Sequence, residues 1–160
     1  MRRETRWSDQ AVLTRKPSTE AGQLQLQLQH QLKGDAHGLR VLYRLIDLER
    51  LGLDPEALPD LLLAAKRMGF AGLNITYPCK QAARPLLHEI SPDAALIGAV
   101  NTIVLRGGRR IGHNTDCSGF ARNFRHGLHG VARRRVLKLG AGGAGSAVAV
   151  ALLREGADVG

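Results

Sequence analysis

Apolar and polar positions along this chain switch between two periods, and the switches mark its elements. Val41-Leu-Tyr-Arg-Leu-Ile46 is a short apolar run closed by Asp47, which reads as a strand. Leu58, Leu61, Leu62 and Ala65 fall on one face at helical spacing, with Pro59 near the start, so a helix is predicted over 58–68. Gly72 to Ile75 reads as the next strand, and Gln81 to His88 as a helix with Leu86 and Leu87 turned inward. Ser91-Pro92-Asp93 is a helix start, with Ser91 as N-cap and Pro92 at the first helical position; Ala94 to Ile97 completes it. β-rich runs at 100–105 and 110–113 flank Gly107-Gly108, the signal of a hairpin. A helix over Ser118 to Leu128 comes next, then a strand over Arg135 to Leu139, a glycine-rich turn, and an apolar helix from Ser146 to Arg154. Helices and strands in alternation predict an α/β fold built on a mostly parallel sheet with helices on both faces.

The first 38 residues fit this scheme least. Met1 to Gly22 is polar and without period, with only Ala11-Val-Leu13 to suggest a strand. Leu24-Gln-Leu-Gln-Leu-Gln-His-Gln-Leu32 alternates as a strand would. Leu24, Leu28 and Leu32 nevertheless also share one helical stripe, and Leu and Gln are good helix formers.

The polar residues that interrupt the apolar runs carry the chemistry. The run Phe70 to Ile75 ends in Asn74 and Thr76, Pro78 breaks it, and Lys80 falls in the first turn of the next segment. Asn101 is an amide among apolar neighbours, and the extended piece after Gly107-Gly108 ends in Asn114, Thr115 and Asp116. Their order predicts that Asn74, Thr76, Lys80, Asn101 and Asp116 meet at one mouth of the sheet, where open α/β sheets carry small polar ligands. Each residue also has a plainer reading. Thr115 or Asp116 before an amphipathic segment is ordinarily a helix N-cap, and a single lysine is ordinarily a solvated one. Buried amides and carboxylates can equally satisfy one another in a structural network. The combination of a cation, a carboxylate, two amides and a hydroxyl favours a polyhydroxylated ligand, with Lys80 and Asp116 suited to proton transfer at a hydroxyl.

Asn74-Ile-Thr-Tyr-Pro-Cys-Lys80, Gly98-Ala-Val-Asn-Thr102, Gly112-His-Asn-Thr-Asp116 and Gly140-Ala-Gly-Gly-Ala144 occur in this order and spacing. Together they resemble the shikimate dehydrogenase family. Tyr43-Arg-Leu-Ile-Asp-Leu48 and His113 point to its quinate/shikimate dehydrogenase branch. The resemblance runs from about Gly38 onward. It implies that Lys80 and Asp116 are the catalytic pair, and that Thr76 and Asn101 bind the hydroxyls or carboxylate of a cyclohexene acid. It also implies an α/β catalytic domain followed by a nucleotide-binding domain, with reversible hydride transfer to NADP or NAD. In the family a Ser-x-Ser/Thr-Pro segment binds the substrate carboxylate. Thr14-Arg-Lys-Pro17 is the nearest match here, with Thr14 in place of one hydroxyl and Lys16 where the second is expected. The family places its first helix near the Leu/Gln stretch, which favours the helical reading there.

Gly140-Ala141-Gly142-Gly143-Ala144-Gly145 lies between a strand pattern and an apolar helix, the context a dinucleotide-binding turn of the Rossmann type requires. Gly140 permits the tight turn, Gly142 lets a pyrophosphate approach, and Gly145 allows close packing. The ribose-reading residue ordinarily lies about 20 residues past the first glycine, which leaves NAD and NADP unseparated. The expected division is a poorly matched segment over 1–38, a catalytic domain over 39–130 and the opening strand–turn–helix of a cofactor domain over 131–160. A chain of 160 residues holds one sizeable core but is short for two whole domains, so it reads as an incomplete member of the family. The competing reading is a substrate-binding module, or an inactive remnant, without its cofactor half.

Composition narrows the alternatives. Apolar residues make up 44% of the chain, which argues against disorder, but aromatics only 4%, so the core must be aliphatic. The net charge of +9 is spread over separate clusters such as Arg133-Arg134-Arg135, without interleaved aromatics for base stacking, and no nucleic-acid partner is expected. Cys79 and Cys117 match neither a disulfide framework nor a metal pattern and read as buried fillers in a reducing compartment. With no apolar run of 18 residues and no signal-peptide core, the expectation is a cytoplasmic protein with a small-molecule substrate, no membrane partner and no metal.

Overall fold

The structure is a computed structural model and describes residues 6–14, 30–127 and 135–160. Its main body is a six-stranded sheet. β1 (Arg6–Thr14) lies inside it, paired parallel with β2 (Leu39–Asp47) on one side and β3 (Gly72–Ile75) on the other. β5 (Thr102–Arg106) runs antiparallel to both β3 and β6 (Arg109–His113), and β4 (Glu89–Ile90) pairs parallel with β6. The sheet is therefore mixed, which corrects the expectation of a mostly parallel one. The cause is the two-residue turn at Gly107 and Gly108, with φ of 56° and 76°. Such a turn reverses the chain on the spot, so β5 must oppose β6, and β5 also opposes β3 across its other edge.

Helices pack around this sheet. Residues 30–36 are helical (α1), while Leu24 to Gln29 lies outside the described residues. α2 (Leu58–Arg67) buries Leu58, Leu62 and Ala65, the face its spacing predicts. These side chains join Leu48, Leu73, Ile75, Val100 and Ile103 in the main core. α4 (Pro92–Ile97) starts as expected: the Ser91 Oγ accepts from Ala94 N at 3.4 Å, and Gly98 closes the helix at φ 76°. The helix expected over 81–88 is shorter. α3 (Cys79–Ala82) gives way to a 3₁₀ turn at Arg84–Leu86, because Pro85 disfavours the α conformation at Arg84 and offers no N–H to continue the ladder.

Two departures concern the chain ends. The polar stretch Arg6–Thr14 forms a nine-residue strand where the pattern suggested at most Ala11 to Leu13. Pairing on both edges supplies what side-chain pattern does not. Near the other end, β7 (Arg135–Val136) pairs parallel with β8 (Asp158–Val159) in a separate two-stranded sheet, shorter than the strand expected over 135–139. Between them, α6 (Gly143–Arg154) packs Ala147 and Ala151 against Ile97, Ala99 and Cys117, which joins it to α4 and to α5 (Asp116–Gly127). Among the described residues no helix is long and apolar enough to cross a membrane.

Candidate functional site

Strand direction decides what meets at the mouth. β1, β2 and β3 end there, and β5 begins there because it is reversed. Ile75 N donates to Asn101 O at 2.7 Å, and Asn101 N to His113 O at 3.0 Å, which sets the end of β3, the start of β5 and the end of β6 side by side. Thr76 follows β3 half-buried, and its carbonyl accepts from Cys79 N at 2.9 Å, opening the turn into α3. The Tyr77–Pro78 bond is cis, and Pro78 stands at the N-cap of α3. Lys80 comes next in that helix, its carbonyl accepting from Val100 N at 2.9 Å.

Lys80 Nζ lies 2.5 Å from Asp116 Oδ2, with the side chains 19% and 34% exposed. Asn101 braces the other carboxylate oxygen: its Nδ2 donates to Asp116 Oδ1 at 2.8 Å and to Thr115 Oγ1 at 3.0 Å. Its Oδ1 accepts from Thr115 N at 3.0 Å and Thr102 Oγ1 at 2.9 Å. Asn114 lies beneath, buried, with Nδ2 on Ala99 O at 2.9 Å and Oδ1 receiving Asp116 N at 3.0 Å. The Asp116 carboxylate is thus aimed by its own helix start and by two neighbouring amides. It leaves the Lys80 ammonium facing a half-open mouth, an arrangement able to pass a proton to or from a bound hydroxyl.

The remaining candidates take separate places. Asn74 does not bond this network; it lies near the Tyr43 hydroxyl, whose pKa burial raises and the Asn74 amide pulls part of the way back down. The Tyr43 ring in turn stacks on His30 with centroids 4.0 Å apart. Thr14 ends β1 opposite Asp47 and one residue past the Leu13–Ile75 pair, so its backbone stands level with the mouth. The Thr115 hydroxyl is taken up by Asn101 instead of capping α5. Sequence reasoning passed over Thr102 as a partner and Tyr43 as a neighbour. Thr102 directly follows Asn101, and Tyr43 could have been found only by pairing β2 with the strands beyond it.

The glycine-rich turn takes the shape its residues imply. Gly140 has φ 97°, and a Cβ on Gly145 would lie 2.5 Å from Gly140 O, so the strand end and helix start approach too closely for any side chain there. Gly142 is the N-cap of α6 and leaves the first N–H groups of the helix without a side-chain partner. Exposed N–H groups at a helix start suit an anionic group such as a pyrophosphate. Among the described residues no cluster of His, Cys, Asp and Glu could hold a metal ion.

Comparison with known proteins gives concordant results. The family profile described as shikimate dehydrogenase substrate binding domain matches residues 27–103. A shikimate dehydrogenase (NADP(+)) of Pseudarthrobacter chlorophenolicus is 58% identical over 128 residues, 80% of this chain and 44% of that protein. A quinate/shikimate dehydrogenase (NAD(+)) of Corynebacterium efficiens is 47% identical over 130 residues, 81% of this chain and 46% of that protein. Among solved structures, quinate dehydrogenase from Corynebacterium glutamicum in complex with NAD superposes with a TM-score of 0.80 at 41% identity, covering 94% of this chain and 52% of that one. A shikimate 5-dehydrogenase of Thermus thermophilus in complex with shikimate gives 0.78 at 37% identity, covering 95% and 54%. The chain spans about half the length of the curated relatives it matches.

Proposed function

Since this chain belongs by its substrate-binding domain to the shikimate/quinate dehydrogenase family, whose members are NAD(P)-dependent, we propose that its 160 residues form a substrate-binding and proton-transfer module for a hydroxylated cyclohexene or cyclohexane carboxylate. The observation that carries this reading is the Lys80–Asp116 pair at 2.5 Å, braced by Asn101 at the sheet mouth. Within a whole dehydrogenase the module supplies the acid–base half of a reversible oxidation of a ring hydroxyl. We divide the chain on the same basis into 39–130 for substrate and 131–160 for the start of a cofactor domain. A cytoplasmic location belongs to the same proposal and is supported by the unpaired, buried thiols of Cys79 and Cys117.

In the reducing direction the Lys80 ammonium donates its proton to the oxygen as the hydroxyl forms; in the oxidising direction the neutral amine takes it back. Asp116 accepts a hydrogen bond from the same hydroxyl and keeps the amine turned towards it. Asn101 holds the carboxylate and can exchange one of its bonds for a substrate hydroxyl. Thr76, Asn74 and Thr14 are offered as further donors around the ring and its carboxylate, each from the end of a strand at the mouth. Gly140, Ala141, Gly142, Gly143, Ala144 and Gly145 would hold the pyrophosphate of NAD or NADP, whose nicotinamide, when bound, accepts or supplies the hydride.

Titration calorimetry on the 160-residue chain tests the module. Shikimate or quinate should bind, and Thr76→Ala should weaken binding by roughly two- to tenfold, the loss of one neutral hydrogen bond. Little or no turnover is expected with either nicotinamide, since hydride transfer requires the ring to be held against the substrate by parts of the cofactor site beyond one turn. Absence of any binding to the folded chain would sink the substrate reading. Robust turnover would instead show that the module is itself an enzyme.

A further inference from the structure

Gly143 touches more than its own turn. A Cβ built there would lie 2.8 Å from the Ala99 Cβ, and 3.6 and 3.8 Å from Lys80 Cδ and Cβ. Non-bonded carbons settle at about 3.5–4.0 Å, so the turn rests on the Ala99 methyl with no room for one more carbon there, while the lysine stem lies at ordinary contact distance from the same point. Gly142, one residue earlier, has nothing within 4 Å of the same imagined atom. Its φ of −70° and ψ of 173° are open to any residue. The tight approach is confined to one glycine of the pair.

Neither side of this contact is free to yield. On the α6 side, Ala147 and Ala151 are fully buried against Ile97, Ala99 and Cys117. At the far end of α6, Arg154 Nη2 donates to Asp93 Oδ1 at 2.7 Å, and Arg125 donates through Nε and Nη2 to Glu155 Oε1 at 2.9 and 2.7 Å. On the lysine side, the Lys80 carbonyl is bonded to Val100 N and its amine to Asp116. An atom added at 143 must therefore displace the Ala99 strand entry, and with it Val100, whose N–H holds the Lys80 carbonyl.

We propose that Gly143 is a positioning residue for Lys80: its bare backbone lets the turn settle against Ala99 without shifting the neighbouring Val100, whose N–H holds the Lys80 carbonyl, and so keeps the amine within reach of Asp116. The inference rests on the proton-transfer reading of Lys80. It gives the glycine-rich turn a second role beyond offering its N–H groups to an anion, because the placement of the turn also sets where the amine points.

The test compares Gly143→Ala, Gly142→Ala and the combination of Ala99→Gly with Gly143→Ala. Acetic anhydride labels exposed amines, and peptide mass spectrometry reads the rate at Lys80 against Lys66 in the same molecule. An ion pair as exposed as Lys80–Asp116 is a modest restraint, so its loosening in Gly143→Ala should speed relative labelling roughly two- to fivefold. Gly142→Ala should leave the ratio unchanged. The double variant should restore it, because removing the Ala99 methyl removes the 2.8 Å approach and leaves only ordinary contacts. Unchanged labelling in folded Gly143→Ala, or a double variant that still labels fast, overturns the proposal. Should Gly143→Ala be too unstable to label, melting temperature decides: the double variant must melt higher, and one that melts no higher overturns it as well. In the unsubstituted chain saturating shikimate should slow Lys80 labelling. Failure of that protection alone counts against the substrate reading and leaves the role of Gly143 standing.

Discussion

Asn101 commits both ends of its amide to neighbours, so replacing it gives a measurable loss even without substrate. Asn101→Ala removes the bond to the Asp116 carboxylate at 2.8 Å and the acceptor shared by Thr115 N and Thr102 Oγ1. A hydrogen bond to a charged group contributes ~1.5–3 kcal/mol, and one between neutral groups ~0.5–1.5 kcal/mol. Thr115 is exposed and water can replace part of what it loses, so the net cost should sit near ~2 kcal/mol, towards the low end of that range. In a chain of this size ~2 kcal/mol lowers the melting temperature by roughly 4–8 °C. Asn101→Asp sharpens the test. It keeps the acceptor for Thr115 and Thr102 but sets a second carboxyl against Asp116, and two such groups in contact resist being ionised together. The folded variant then holds a proton that the unfolded chain releases, so its stability must fall as pH rises above about 4. Thermal melts of the three proteins between pH 4.5 and 7.5 provide the assay. An Asn101→Ala melt within a degree of the parent would refute the account, as would an Asn101→Asp variant more stable at neutral than at acid pH.

Two further outcomes are expected. Arg154 lowers the pKa of Asp93, and Arg125 that of Glu155, through hydrogen bonds, so the stability these pairs contribute is full above about pH 4–5 and is lost as pH falls. Hydrogen exchange should show α6 losing protection on acidification before α2 does, and simultaneous loss would count against the assignment. Burial raises the Tyr43 hydroxyl, so its contribution is full below about pH 10 and is lost as pH climbs beyond. Tyr43→Phe should abolish the part of the alkaline melting loss that Tyr43 carries, and an alkaline limb unchanged by the substitution would count against the assignment.

Much of the site was legible because its residues sit at element ends, where local rules are strong. Pro78 after an apolar run placed Lys80 in a first turn, and Gly107-Gly108 announced the hairpin that brings Asn101 beside His113. The direction of the sheet was misjudged from the same hairpin. Its turn is plain in the sequence, but the reversal it imposes on β5 extends to the pairing with β3, which no local signal records. β1 escapes notice because Arg6–Thr14 has no apolar period, and its stability comes from ladders on both edges. The shortened α3 has a visible cause in Pro85, outweighed in the pattern by Leu86 and Leu87. Asn74 groups with Lys80 by proximity in sequence, whereas the Tyr43 hydroxyl near it comes from a strand two places away in the sheet.

The reversal of β5 also has a use for protein engineering. Because β5 begins at the mouth, the Gly107-Gly108 turn lies at the opposite end of the sheet, five strand residues away, or roughly 17 Å. Both glycines are exposed, and Lys66 reaches the carbonyl of Gly108 at 3.3 Å from the end of α2. The entropy of closing a loop grows slowly with its length, so an inserted segment there would strain neither flanking strand. That turn is the place for an affinity tag, a cysteine bearing a fluorophore or a tether to a surface, where a reporter could be attached remote from Lys80 and its partners.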